Sequence, residues 1–113
     1  MYNILVCDDK HDIVSALKIY LSAEGYHVYE AYDGKTALDV LSKNDIHLVL
    51  MDIMMPKMDG CTASKEIKKI KDIPIIMLSA RKEEYDKLLG FEIGIDDYIT
   101  KPFSPKELIA RVK

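Results

Sequence analysis

Tryptophan is absent from this 113-residue chain, and cysteine and proline are scarce, at two and four residues. The two cysteines, Cys7 and Cys61, lie far apart and form no CxxC pair. That count excludes a disulfide framework and reads as two reduced thiols in a cytoplasmic protein. His11, His27 and His47 lack the spacing of a zinc site. With only five glycines and four prolines there is no low-complexity tract or linker, and no segment repeats. Positive charge is not in excess: 16 Lys and Arg face 19 Asp and Glu, for a net -3, so the chain carries no basic footprint for nucleic acid. No apolar stretch approaches the roughly 20 residues that cross a bilayer. The short run Ile4–Cys7 is followed at once by charge, unlike a signal peptide. GxxxxGK[ST] is missing, which excludes a P-loop nucleotide enzyme.

What is present suits one compact domain with its own core: 49% hydrophobic and 31% charged residues over 113 positions. Short apolar, β-branched-rich runs alternate with segments of helical period. "YNILVC" reads as a first strand. "DIVSALKIYLSAEG" comes next as a helix, with Ile13, Leu17, Tyr20 and Leu21 on one stripe and Gly25 as its stop. "HVYEA" is a second strand, after which Asp33 caps a helix bearing Ala37, Leu38 and Leu41. "IHLVLM" is a third strand, apolar enough to be covered on both faces. A helix over Thr62–Ile70, the strand "IPIIML", the helix "KEEYDKLLGFEIG" and the short strand "DYIT" come after it. "SPKELIARVK" opens a last helix, with Ser104 as N-cap, Pro105 at the first position and Glu107 as capping-box acid. "KEIKKIKD" reads as the solvated face of the third helix. Five strand–helix units predict an α/β fold: a doubly wound, five-stranded parallel sheet with five helices, flavodoxin-like in order 2-1-3-4-5. The last apolar stripe (Leu108, Ile109, Val112) stops abruptly, so residues 1–113 are expected to be one domain cut within its last helix.

In such a sheet the site lies beyond the carboxyl ends of the strands. Strand one ends in Asp8 and Asp9, strand three in Asp52, strand four in Ser79, and strand five in Thr100 and Lys101. Each alone is an ordinary turn residue, cap or surface lysine; together they place three carboxylates, a hydroxyl and an ammonium at one edge. Close carboxylate pairs repel by about 4 kcal/mol at an effective dielectric near 20. Lys101 offsets part of that, and the rest calls for a hard divalent cation with oxygen ligands, Mg²⁺. A carboxylate between such an ion and a lysine is poised to attack phosphorus and form an aspartyl-phosphate.

Taken together, "ILVCDD", "LVLMDIMMPKMDG", "IIMLSA" and "DDYITKPF" resemble, in order and spacing, the receiver domain of two-component response regulators over essentially the whole chain. "KPFSPKELIARVK" is most similar to the subfamily whose receivers precede a winged-helix DNA-binding domain. The resemblance implies that Asp52 is the phosphoacceptor, served by the phosphohistidine of a sensor histidine kinase. It implies Mg²⁺ bound directly by Asp9, by Asp8 through water, by Asp52 and by the backbone carbonyl of Met54. Lys101 would pair with the phosphoryl group, Ser79 would hydrogen-bond it, and Tyr98 would be the aromatic switch that turns inward as Ser79 shifts. The Lys101–Pro102 bond would be cis. Lys10 departs from the family pattern, standing where an acid commonly follows the pair, and is expected to weaken Mg²⁺ binding slightly. Met54 and Arg81, two residues beyond Asp52 and Ser79, would flank the path of attacking water and set the phosphoryl lifetime.

Such a protein is a regulator, catalysing only its own phosphoryl transfer and dephosphorylation. Its output would be a homodimer formed on phosphorylation through the helix 4–strand 5–helix 5 face: Lys87 with Glu107, Asp97 with Arg111, around Leu88, Phe91 and Ile109. DNA would be bound only through a further C-terminal domain, and no membrane is involved. Rival readings are weaker. An aspartyl-phosphate hydrolase usually needs a second acid two residues after the nucleophile, where Met54 stands. An FMN carrier would meet Asp8 and Asp9 where its phosphate should sit. The alternative from another class is a phosphorylation-independent interaction module on the same fold.

Overall fold

In the computed structural model, residues 2–52, 60–71, 73–79 and 97–100 are described. Strands β1 (Asn3–Cys7), β2 (His27–Ala31), β3 (Leu48–Asp52), β4 (Ile75–Ser79) and β5 (Asp97–Thr100) form one parallel sheet in the order β2-β1-β3-β4-β5. That is the expected order. Three helices lie between them among the described residues: α1 (His11–Ala23), α2 (Gly34–Lys43) and α3 (Gly60–Ile70). The expected fourth and last helices, with the Lys101–Pro102 bond, lie outside the described residues.

β3 is the central strand and β1 its interior neighbour, and from Ile4 to Cys7 and Leu48 to Met51 every residue is buried. Alternation along these strands feeds two cores. Ile4, Val6, Leu48 and Leu50, with Ile76 and Leu78 of β4, pack with Val14, Leu17 and Leu21 of α1. On the other face Leu5, Cys7, Val49 and Met51 pack with Ala37 and Leu41 of α2 and Ala63 and Ile67 of α3. The apolar runs of β1 and β3 are thus covered on both faces, as parallel strands demand.

Local signals explain the helix ends. Asp33 accepts from the Thr36 N–H at 2.7 Å and caps α2. α1 closes in a Schellman turn: Tyr26 N–H reaches Leu21 O, Gly25 N–H reaches Ser22 O, and Gly25 takes φ 90°. Several expectations shift. The buried stripe of α1 is Val14, Leu17 and Leu21, while Ile13 and Tyr20 are only half-buried. β3 begins at Leu48, two residues late, and runs on through Asp52, which pairs with Leu78. α3 begins at Gly60 and β4 at Ile75. The lysines of "KEIKKIKD" are not all solvated either: in α3 Lys68 Nζ donates to Ile73 O, and just after the helix Lys71 Nζ donates to Asn44 O, at 2.9 and 3.2 Å.

α1 is fastened to β2 by polar contacts as well as by its core. Lys18 Nζ lies 2.8 Å from Glu30 Oε1, and the Tyr32 hydroxyl donates to Glu30 Oε2 at 2.7 Å. The hydrogen bond from Lys18, and then that from Tyr32, holds the Glu30 carboxyl below the usual carboxylate range. Its bond to Glu30 raises the Tyr32 hydroxyl in turn, with desolvation adding to the effect. Glu30 therefore contributes stability above the unfolded carboxyl's pKa of about 4.3, and that contribution is lost as pH falls through its lowered folded value. For Tyr32 the sign reverses: its contribution is present below about pH 10 and lost as pH rises through the raised value. Glu30 is partly exposed, so the whole effect is at most about 1 kcal/mol. Urea unfolding of Glu30→Gln should show it less stable than wild type at pH 7, with the gap closing below about pH 4.

Candidate functional site

The register fixes which residues meet at the carboxyl edge. Cys7 pairs with Met51, so Asp8, one residue on, stands level with Asp52 at the end of β3. Both continue the phase of Val6 and Leu50, the face toward α1. Asp8 and Asp52 are buried, at 0% and 3% exposure. The chain then turns: the Asp8 N–H donates to Ala31 O at 3.2 Å, and the Lys10 N–H donates to Asp8 Oδ1 at 3.0 Å. This Asx-turn reverses direction and leads into α1 at His11. It also aims Asp9 back over the edge. One carboxylate oxygen from each of Asp8, Asp9 and Asp52 then lies within 4.8 Å of the other two.

Carboxylates so close repel by about 3–4 kcal/mol per pair at an effective dielectric near 20. The Lys10 ammonium lies 3.6 Å from Asp9 Oδ1, an atom shielded from solvent that accepts no hydrogen bond among the described residues. It offsets part of the charge from the rim, where its own side chain is 58% exposed. Cys7 lies beneath. Burial pushes its thiol up strongly, and the charges of Asp33, Asp8, Asp52 and Asp9 push it further. It stays a neutral thiol, donating weakly to Asp33 O at 3.4 Å. The donor set is therefore all oxygen and anionic, which fits a hard divalent cation and not zinc or copper.

The three expected acids are thus brought together. Ser79 ends β4 one residue beyond Leu78, the partner of Asp52, and pairs with Thr100 at the end of β5. The backbone of Ser79 therefore borders the same edge. Tyr98 pairs with Met77, and Asp97 with Ile76. Lys101, Met54, Arg81, Lys87, Leu88, Phe91, Glu107, Ile109 and Arg111 lie outside the described residues. Two features of the edge are absent from the sequence reading. His11, which lacks ligand spacing, stacks on Tyr32 with centroids 3.9 Å apart and planes 5° from parallel. The Asx-turn at Asp8 is the other, although an Asp between a strand and a helix is its signal. His47 has a structural use at the opposite edge, where its Nδ1 accepts the Asn3 N–H at 2.9 Å.

Comparison with known proteins agrees with this geometry. The sequence model of the response regulator receiver domain matches residues 4–113. Among solved structures, chemotaxis protein CheY4 of Vibrio cholerae is 30% identical with a TM-score of 0.93, the match covering 99% of this chain and 96% of that one. The receiver domain of Francisella response regulator 1452 is 38% identical, with a TM-score of 0.89 over 99% of this chain and 93% of its own. Response regulator TrrA of Thermotoga maritima, solved in complex with Mg(2+)-BeF, is 36% identical, with a TM-score of 0.90 over 99% and 96% of the two chains. With a family match across nearly its whole length and a buried acidic edge at the carboxyl ends of its sheet, the chain belongs to the response regulator receiver domains, the phosphorylation-activated switches of two-component signalling.

Proposed function

We propose that this receiver domain takes a phosphoryl group from a sensor histidine kinase onto Asp52, with Mg²⁺ as its cofactor. The observation that carries the reading is the set of three carboxylates within 4.8 Å, one of them on the last residue of a buried central strand. An anion so placed is rigid, largely desolvated and nucleophilic. Asp9, Asp52 and the Met54 carbonyl would hold the ion directly and Asp8 through water. The ion would supply neutralising charge for the equatorial phosphoryl oxygens. Asp52 would attack phosphorus in line as the P–N bond of the phosphohistidine breaks, its electron pair staying on the imidazole nitrogen, which takes up a proton from water. Lys101 pairs with the transferred group, Ser79 hydrogen-bonds it, and Tyr98 reads the shift of Ser79. Met54 and Arg81 shape water access and so the phosphoryl lifetime. The complex of the similar TrrA with Mg(2+)-BeF supports the chemistry, since beryllofluoride is a stand-in for a phosphoryl group.

Incubation with Mg²⁺ and acetyl phosphate, read by intact mass, tests this against the alternative of a phosphorylation-independent interaction module. Wild type should gain one phosphoryl group of about 80 Da, and Asp52→Asn, Mg²⁺-free wild type and a mock reaction should gain none. Equal gain by Asp52→Asn would sink the assignment.

Lys10 and the cation share Asp9 Oδ1, so they should compete. Lys10→Gln is expected to tighten Mg²⁺ binding about two- to fivefold by calorimetry, the size of one exposed ion pair. Unchanged affinity would show that the ammonium does not guard the site.

The phosphorylated domain would dimerise through Lys87, Leu88, Phe91, Asp97, Glu107, Ile109 and Arg111. In a longer chain that dimer would order a C-terminal winged-helix domain on DNA for transcription control. Sedimentation with beryllofluoride and Mg²⁺ should show a dimer where the untreated protein is a monomer. A monomer under both conditions would refute this output.

A further inference from the structure

Two elements that carry no candidate ligand meet beside the acidic edge. His11 is the first residue of α1, two residues after Asp9. Its ring lies flat on that of Tyr32, 3.9 Å between centroids and 5° from parallel. Tyr32 is in turn fixed at both ends of its short segment. Before it, the Ala31 carbonyl accepts the Asp8 N–H at 3.2 Å. After it, the Asp33 carbonyl accepts the Cys7 thiol at 3.4 Å, and the Asp33 carboxylate caps α2. Its hydroxyl is spent on Glu30 Oε2 at 2.7 Å, while Lys18 occupies Oε1 at 2.8 Å. The lowered Glu30 carboxyl and the raised Tyr32 hydroxyl are what such a saturated contact requires. Lys18 and His11 are seven residues apart, two turns of one helix face. α1 therefore grips the end of β2 at two points, and the upper grip falls at the turn that presents Asp8 and Asp9.

We propose that the His11–Tyr32 stack, anchored through Glu30 and Lys18, is a positioning device that holds the Asp8–Asp9–Lys10 turn in its cation-ready form against the mutual repulsion of the acids. This rests on the receiver reading of the site, and it adds residues outside the ligand set. Without a cation, repulsion drives Asp9 outward from Asp52, and the Asx-turn bond from Lys10 N–H to Asp8 Oδ1 is the element that would open. The stack opposes that opening because His11 cannot follow Asp9 outward without sliding off Tyr32. A pre-set turn binds its ion more tightly, since no ordering is left to do on binding.

The test has one readout without metal and one with it. In Mg²⁺-free protein, the Lys10 amide should be protected from hydrogen exchange in wild type and should exchange about three- to tenfold faster in His11→Ala, the range set by loss of one aromatic pair. Mg²⁺ affinity by calorimetry should fall by the same factor. His11→Phe, which keeps a flat ring and loses the imidazole, should restore both to within about twofold. Tyr32→Ala should be at least as severe as His11→Ala, since it loses the bond to Glu30 as well as the stack, and the double variant should be no worse than Tyr32→Ala alone. Should His11→Ala not fold, Tyr32→Phe, which drops only the bond to Glu30, should give the same pattern at smaller amplitude. Wild-type exchange and affinity in His11→Ala, or failure of His11→Phe to restore them, overturns the device while leaving the receiver reading intact. Wild type that binds no Mg²⁺ at all overturns both.

Discussion

Repulsion among three carboxylates is the force that the rest of this structure is arranged to contain. Asp8 and Asp52 are buried side by side because their strands are neighbours in the interior of the sheet, and the apolar residues before them are buried without exception from Ile4 to Cys7 and Leu48 to Met51. Removing eight apolar side chains from water at roughly 1.5–3 kcal/mol each, about 12–24 kcal/mol together, exceeds the roughly 9–12 kcal/mol by which three carboxylate pairs repel. The sheet dictates where the acids stand, and the acids have no comparable power over the sheet. Charge accumulates at the edge because hydrophobic burial behind it is stronger.

Containment is local and graded. The Asx-turn satisfies Asp8 from its own chain, Lys10 covers Asp9 from the rim, and Cys7 below stays uncharged instead of adding a fourth anion. None of these neutralises the cluster fully. An ammonium that is 58% exposed is a weak, exchangeable counter-charge. That is the condition a switch requires: a site fully neutralised by protein groups would have no use for a cation, and one with no counter-charge would strain the turn that carries it.

Much of this is legible in the sequence, and the reasons differ by element. β2 and β5 can be read at their observed bounds because each is a short β-branched or aromatic run closed by a turn signal. Asp33 reads as a cap because Asp before an apolar period has one common use. The acids are legible because fold topology sends every strand end to one edge. The stripe of α1 reads a residue out, through Ile13 instead of Val14, since both are apolar and only the packing of the helix on β1 decides between them. β3 is expected from Ile46, yet that residue is buried without joining the ladder, which starts at Leu48 opposite Ile4. The contacts of His11 with Tyr32 and of Lys18 with Glu30 cannot be read at all. They join residues on different elements, and neither period nor propensity marks them.

The register also bears on how a phosphoryl group at Asp52 would be felt elsewhere. Asp52 pairs with Leu78; Ser79 is the next residue along and pairs with Thr100, and Tyr98 is level with Met77. From the proposed phosphoacceptor to the proposed aromatic switch is a path of two strand spacings, about 10 Å. No long relay is needed. On that proposal a hydrogen bond formed at Ser79 would act on the end of β4, with which β5 pairs from Asp97 to Thr100. The two strands are paired in register from Ile76 to Ser79, so on the proposed mechanism a displacement at the end of one would be handed to the other. A tightly packed sheet with a charged edge thus keeps an electrostatic event at its rim, within reach of every strand end that could answer it.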